Sequence, residues 1–212
     1  MPYFEEASLV TVIAANVVGA VRFKRLDPAL RYLAILVFFE IFIEVLSRAV
    51  GARQGSNLFL LPVDTLVEFG LLAGTYRRAL WPSAVSRGLP AVVAIFSLAS
   101  LLSYAGPANL LQFNSLQRLA ESFLVLGLVL LYFYKVIREL VIVHLEREPM
   151  FWVSVGLLLY FAGNVFIFVS SNYVIRQSTA LSMRLWNIHA VLYMVLYGLY
   201  AWALWISPSN RK

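Results

Sequence analysis

The sequence predicts an all-α fold, a polytopic bundle of seven transmembrane helices with the N-terminus outside and the C-terminus cytoplasmic. Three observations predict it. The chain of 212 residues is 61% hydrophobic and 13% charged, whereas a soluble domain carries about 25% charged and about 45–50% apolar residues. Seven stretches supply the about 20 mainly apolar residues that a helix needs to cross a hydrocarbon core of roughly 30 Å. The basic residues, finally, collect on alternate loops, as they do in multi-pass membrane proteins.

The first span, roughly 4–22, opens with Glu5 and Glu6 in place of a basic segment and has no small-residue cleavage site. It is therefore expected to remain as the first helix rather than act as a removable signal peptide. Asp27-Pro28 opens the second span, roughly 29–50, and the breaker-rich stretch Gly51 to Asn57 closes it. The third, roughly 58–80, stops at Trp81-Pro82, and the fourth, roughly 89–106, at Gly106-Pro107. The fifth is roughly 114–138, with a pattern that runs on through Lys135, Arg138, Glu139 and His144 to Arg147. Pro149 ends that extension and fits the first turn of the sixth span, roughly 150–171. The seventh is roughly 184–206, and the whole chain, 1–212, reads as a single transmembrane domain.

Orientation follows from the loops. Arg22, Lys24, Arg25, Arg31, Arg77, Arg78, Arg87, Lys135, Arg138, Arg147, Arg211 and Lys212 fall on one side, and Arg48, Arg53, Arg118, Arg176 and Arg184 on the other. The larger set belongs in the cytoplasm. Trp81, Trp152, Trp202 and Trp205 then lie at inner helix ends, as an interfacial belt does. The net charge of +6 is thus a topology signal with affinity for membrane lipids, not a nucleic-acid footprint.

Five carboxylates, Glu40, Glu44, Asp64, Glu68 and Glu121, lie inside predicted spans. A charge at the centre of a helix costs roughly 2.5–3.5 kcal/mol on insertion scales, so all five must face the bundle interior. Spacing agrees: Glu40, Glu44 and Arg48 share one face of the second helix, and Asp64 and Glu68 one face of the third. Asn114, Arg118, Glu121 and Ser122 form a stripe on the fifth, Asn164 and Ser171 on the sixth, and Arg184, Asn187 and His189 come from the seventh. Most of these fall at mid-membrane or in the outer half. A polar chamber opening outward over an apolar floor is expected, with Glu40, Glu44, Asp64, Glu68, Arg118, Glu121, Asn164, Asn187 and His189 as its ligand-binding residues.

Interhelical pairing is the plainer account of the same residues, but five acids against Arg48, Arg118 and Arg184 leave a surplus of negative charge. Protonated carboxyls or a bound cation would resolve it. Gly70 with Gly74, and Gly156 with Gly163, read as close-packing devices. Tyr193, Tyr197 and Tyr200 read as packing on the seventh helix. There are no cysteines and two histidines, which excludes thiolate metal sites and a histidine-rich cage. No metal and no cofactor are expected.

Seven helices with an outside N-terminus invite comparison with microbial rhodopsins, but Lys24, Lys135 and Lys212 all lie at the cytoplasmic side, so no retinal is expected. Glu44 and Arg48 give only part of the motif of CAAX-type membrane proteases, with Ile43 in place of its second glutamate. An Arg-Gln pair at 53–54 and again at 176–177, with Asn57-Leu58-Phe59 and Arg184-Leu185-Trp186 after them, gives a faint echo of the repeats of Sweet-type sugar transporters. The segments FNSLQRLAES (113–122) and FWVSVGLLLYFAGNVFIF (151–168) resemble small stand-alone seven-helix membrane proteins of Bacteroidetes-like bacteria. That resemblance implies a multi-pass protein of a bacterial inner membrane and carries over no activity and no functional residue.

The function expected from these residues is that of a receptor-like sensory protein whose pocket binds a small molecule, a lipid headgroup or a cation. A cytoplasmic effector protein would dock at the extension of the fifth helix, on the apolar run Leu140-Val141-Ile142-Val143. An intramembrane lipid-modifying hydrolase, with Asp64, Glu68 or Glu121 as general base, is the first alternative. A proton- or cation-coupled transporter is the second.

Overall fold

The computed structural model describes residues 2–54, 57–104, 115–139, 144–177 and 179–208. Among them there are seven α-helices and no strand. The helices are α1 (Pro2–Arg22), α2 (Pro28–Gln54), α3 (Leu61–Ala79), α4 (Ala84–Ser103), α5 (Ser115–Glu139), α6 (Pro149–Gln177) and α7 (Thr179–Ile206). Six segments are long and apolar enough to cross a membrane, which makes this a multi-pass membrane protein. The helix that falls short is α2, although its 27 residues reach about 40 Å at 1.5 Å per residue. Glu40 and Glu44, with Arg31 or Arg48, place at least three charges in every window of 18 residues along it.

Local chemistry explains the helix starts. Asp27 Oδ1 accepts hydrogen bonds from the amides of Ala29 (2.7 Å) and Leu30 (3.0 Å), capping α2 ahead of Pro28. Ser83 and Ser86 form a reciprocal capping box, each hydroxyl accepting from the other's amide at 3.0 and 3.1 Å. This box moves the start of α4 to Ala84, ahead of the expected 89, and puts Pro90 inside the helix. At their facing ends α6 and α7 also run further than expected, to Gln177 and from Thr179. A 3₁₀ turn, Leu58–Leu60, precedes α3.

The expected extension of the fifth helix is corrected. Helix α5 ends at Glu139, and His144 has the non-helical backbone angles φ −128°, ψ 84° ahead of a separate 3₁₀ turn, Leu145–Arg147. The proposed docking run, residues 140–143, lies outside the described residues, as do Asn114, Gly106-Pro107, Arg211 and Lys212.

Successive contacts close a ring in the order α1, α2, α3, α5, α6, α7 and back to α1. Helix α4 stands outside the ring against α3, joined by the edge-to-face pair Phe69–Phe96, with centroids 4.8 Å apart. Its outer face, with Ile95, Leu98, Leu101 and Leu102, is exposed. The first residues of α1 define what we term the amino end of the bundle, and the last residues of α7 the carboxyl end. Arg22 ties the two helices at the carboxyl end by donating to the carbonyls of Trp205 and, at 2.6 Å, Ser207. Ten of the twelve basic residues of the larger set lie at that end, and the other two are Arg211 and Lys212.

The middle of the ring is filled. Leu33, Val37, Leu72, Val129, Leu157 and Leu204 are at most 1% exposed and belong to one apolar cluster. Beside this cluster Tyr76 Oη of α3 and Ser154 Oγ of α6 form a buried hydrogen bond at 2.8 Å. Small residues let backbones approach. A Cβ on Gly74 would come within 2.8 Å of the Tyr32 ring of α2, and one on Gly156 within 3.2 Å of Leu196 on α7. At Gly163 it would run into Leu192 of α7, whereas Gly70 faces open space. Half of the GxxxG pair thus acts as expected, and both glycines of α6 do.

Candidate functional site

Each helix of the ring contributes to one cleft of about 550 Å³ at the amino end, and α4 contributes nothing. Of the nine expected residues, Glu40, Glu44, Asp64, Glu68, Arg118 and His189 line it. Glu121 and Asn164 sit behind the lining, both fully buried, and half-buried Asn187 is not part of the wall.

The centre of the site is Arg118, in the first turn of α5. Its guanidinium donates from Nη1 to Glu68 Oε2 at 2.9 Å and to Glu121 Oε2 at 3.0 Å, and from Nη2 to Asp64 Oδ2. The helical register makes this arrangement available. Asp64 and Glu68 lie one turn apart at the start of α3, where a carboxylate also meets the positive end of the helix dipole. Glu121 is one turn beyond Arg118 on the same helix. The planar fork of arginine offers donors in fixed directions from separate nitrogens, so one side chain can hold carboxylates on two helices at once. The arrangement remains incompletely satisfied: Asp64 Oδ1 and Glu121 Oε1 are buried without a hydrogen bond among the described residues.

The other arginines do not share in this cluster. Arg48 pairs with Glu44 at 2.6 Å on a partly exposed face of α2, and Arg184 is exposed and has no ion pair among the described residues. Four carboxyl groups, Glu40, Asp64, Glu68 and Glu121, therefore face one guanidinium. Glu40 is 7% exposed, borders the cleft, and has neither a hydrogen bond nor an ion pair among the described residues. The surplus of negative charge is larger than a count of nearby arginines in the sequence suggests.

An aromatic wall from α6 and α7 lines the same cleft as Glu40. His189 is its hub, with ring centroids 5.7 Å from Tyr160, 5.5 Å from Trp186 and 6.3 Å from Tyr193. His189 Nδ1 lies 2.8 Å from Asn164 Oδ1. An amide oxygen only accepts, so in this contact the imidazole donates from Nδ1. Tyr193 and Tyr160 line the cleft, while Tyr197 and Tyr200 are buried in the core. The tyrosine stripe of α7 thus divides. Its three members read alike in the sequence, because an amphipathic pattern on one helix carries no mark of which residue meets a cavity wall.

A second cavity, of about 640 Å³, opens at the carboxyl end. Asp27, Arg77, Arg78, Lys135, Glu139 and Glu148 surround it, with Trp81 and Tyr132. Lys135 Nζ donates to the carbonyls of Ala79 and Trp81, both at 3.1 Å. In the sequence these charges read only as topology signals, so the cavity went unseen there. Burial holds the half-buried Glu148 carboxyl above the usual carboxylate range. A raised value in the folded state means that folding favours the protonated form, so this group's contribution is present at low pH and is lost as pH rises through its folded value. Glu148→Gln is therefore expected to stabilise the protein slightly in alkaline buffer and to change nothing in acid. Melting curves of both forms across pH check this.

No protein family, no curated protein and no solved structure matches this chain.

Proposed function

We propose that this chain is a receptor-like protein of a bacterial inner membrane, oriented with its N-terminus outside, whose amino-end cleft binds a small ligand. The cleft at Arg118 carries the reading: about 550 Å³ of space, within the about 300–1,000 Å³ typical of ligand pockets, with buried polar atoms left unsatisfied. The concentration of basic residues at the carboxyl end supports the orientation through the preference of such residues for the cytoplasm. Occupancy would be passed to a separate cytoplasmic protein.

The alternatives draw less support. A hydrolase needs a free oxyanion donor, and here Arg118 is engaged by three carboxylates. A transporter needs passage past the packed middle of the ring.

The test uses the purified full chain in detergent, melted in the presence of sugars, neutral amino acids, dicarboxylates and amines. One class is expected to raise the melting temperature without being consumed, and Ala190→Trp, which fills the cleft, is expected to abolish the shift. No response to any class, or a response that survives Ala190→Trp, would overturn ligand binding. Turnover of the compound or its uptake into proteoliposomes would overturn the receptor reading.

A further inference from the structure

We propose that the ligand of the amino-end cleft is an organic ammonium ion, a primary amine or quaternary ammonium compound, held between the Glu40 carboxylate and the aromatic wall of Tyr160, Trp186, His189 and Tyr193. This rests on the ligand-binding reading above and names the chemical class.

Three independent features point to it. The first is charge: Arg118 pairs with Asp64, Glu68 and Glu121 and leaves Glu40 without an ion pair among the described residues. A buried carboxylate without a partner is costly, and a positive ligand is what such a group lacks. The second is the aromatic wall of the same cleft. Aromatic faces attract cations within about 6 Å of the ring centroid, and paired aromatic and acidic linings recognise alkylammonium groups in particular. Trp186 and Tyr193 stand two turns apart on α7 with His189 between them, Tyr160 comes from α6, and Tyr160 and Tyr193 lie 6.1 Å apart by centroid.

The third feature is what the site lacks. A hard metal cation takes six or more oxygen ligands in a compact shell, and no group of three or more His, Asp or Glu side chains among the described residues is disposed to hold a metal. A cleft of about 550 Å³ is also far larger than an ion requires. An ammonium group with a carbon skeleton uses the space, because its apolar part can lie against the rings while its charge meets Glu40.

Choline and tetramethylammonium are the probes, with 3,3-dimethyl-1-butanol as the uncharged isostere of choline and sodium chloride as the ionic-strength control. The melting temperature of the full chain in detergent is expected to rise with choline or tetramethylammonium, and not with the isostere or with salt. Glu40→Gln is expected to raise the half-effective concentration about tenfold, equivalent to about 1.4 kcal/mol of binding. Tyr193→Leu should weaken the response severalfold and serves alone if Glu40→Gln does not fold.

The proposal fails if the isostere acts as well as choline, or if the response is undiminished in both variants. It also fails if Glu40→Gln is simply more stable and the wild type ignores ammonium ions, the behaviour of a protonated carboxyl that needs no counterion. If a sugar or dicarboxylate stabilises the protein and ammonium ions do not, the ligand-binding reading stands and this inference falls. If nothing stabilises it, both fall.

Discussion

Arg118→Met is expected to lower stability by about 3–5 kcal/mol, the cost of removing one partner from a buried ion pair. The reason lies in what stays behind. Glu121 is fully buried and Glu68 is 9% exposed, and without the guanidinium neither carboxylate has a cation in reach. Arg118→Lys should recover only part of the loss, because an ammonium is a point donor that cannot span three helical positions on two helices. Adding Glu68→Gln and Glu121→Gln to Arg118→Met should restore much of it, since the neutral amides leave no charge to desolvate. Chemical denaturation in detergent measures all four proteins. If Arg118→Met melts within about 0.5 kcal/mol of wild type, as surface changes do, the clamp is not the structural centre of this end of the bundle.

Gly163→Ile is the second large effect. Overpacking a close-packed core costs about 1–3 kcal/mol, and in membranes small residues at helix contacts supply much of the association that lipid does not drive. A Cβ at 163 would run into Leu192, one turn beyond His189 on α7, while Asn164 is the next residue on α6. Moving α7 away would therefore break the 2.8 Å contact of His189 with Asn164 and shift the aromatic wall. The variant should lose stability and, with it, any ligand response of the cleft. Leu192→Ala in the same chain should return part of both, whereas Gly70→Ile, at a position with open space beside it, should do little. Equal losses at 70 and 163 would contradict the account.

Much of this architecture is legible in the sequence because the bilayer penalises charge so heavily. Intramembrane Asp64, Glu68, Arg118 and Glu121 stand out against apolar neighbours, and helical spacing alone aligns each pair. Breakers and caps such as Asp27-Pro28 place helix starts, since their chemistry is local. Other features depend on which helices touch, and one-dimensional spacing does not encode that. Glu40 and Glu44 share a face of α2, yet one is buried without a partner while the other pairs with Arg48 near the surface. Arg184, counted in the sequence among the arginines able to offset the five acids, stands outside the cluster. The ring order leaves α4 outside, a fact set by tertiary contacts. The carboxyl-end cavity was hidden for the same reason: its arginines are ordinary interfacial residues until Tyr132 and Glu148 are brought beside them.

The absence of cysteine makes the central claim, a water-accessible cleft at Arg118 opening outside the cell, directly measurable. Single cysteines are introduced at Ala190, in the cleft wall, and at exposed Ala84, at the start of α4 on the carboxyl end, and intact cells are treated with a membrane-impermeant maleimide. The account predicts that Ala190→Cys is labelled without permeabilisation and that Ala84→Cys is labelled only after it. Labelling of Ala84→Cys alone in intact cells would reverse the orientation, and a position 190 that stays unreactive before and after permeabilisation would mean that no hydrated cleft exists there.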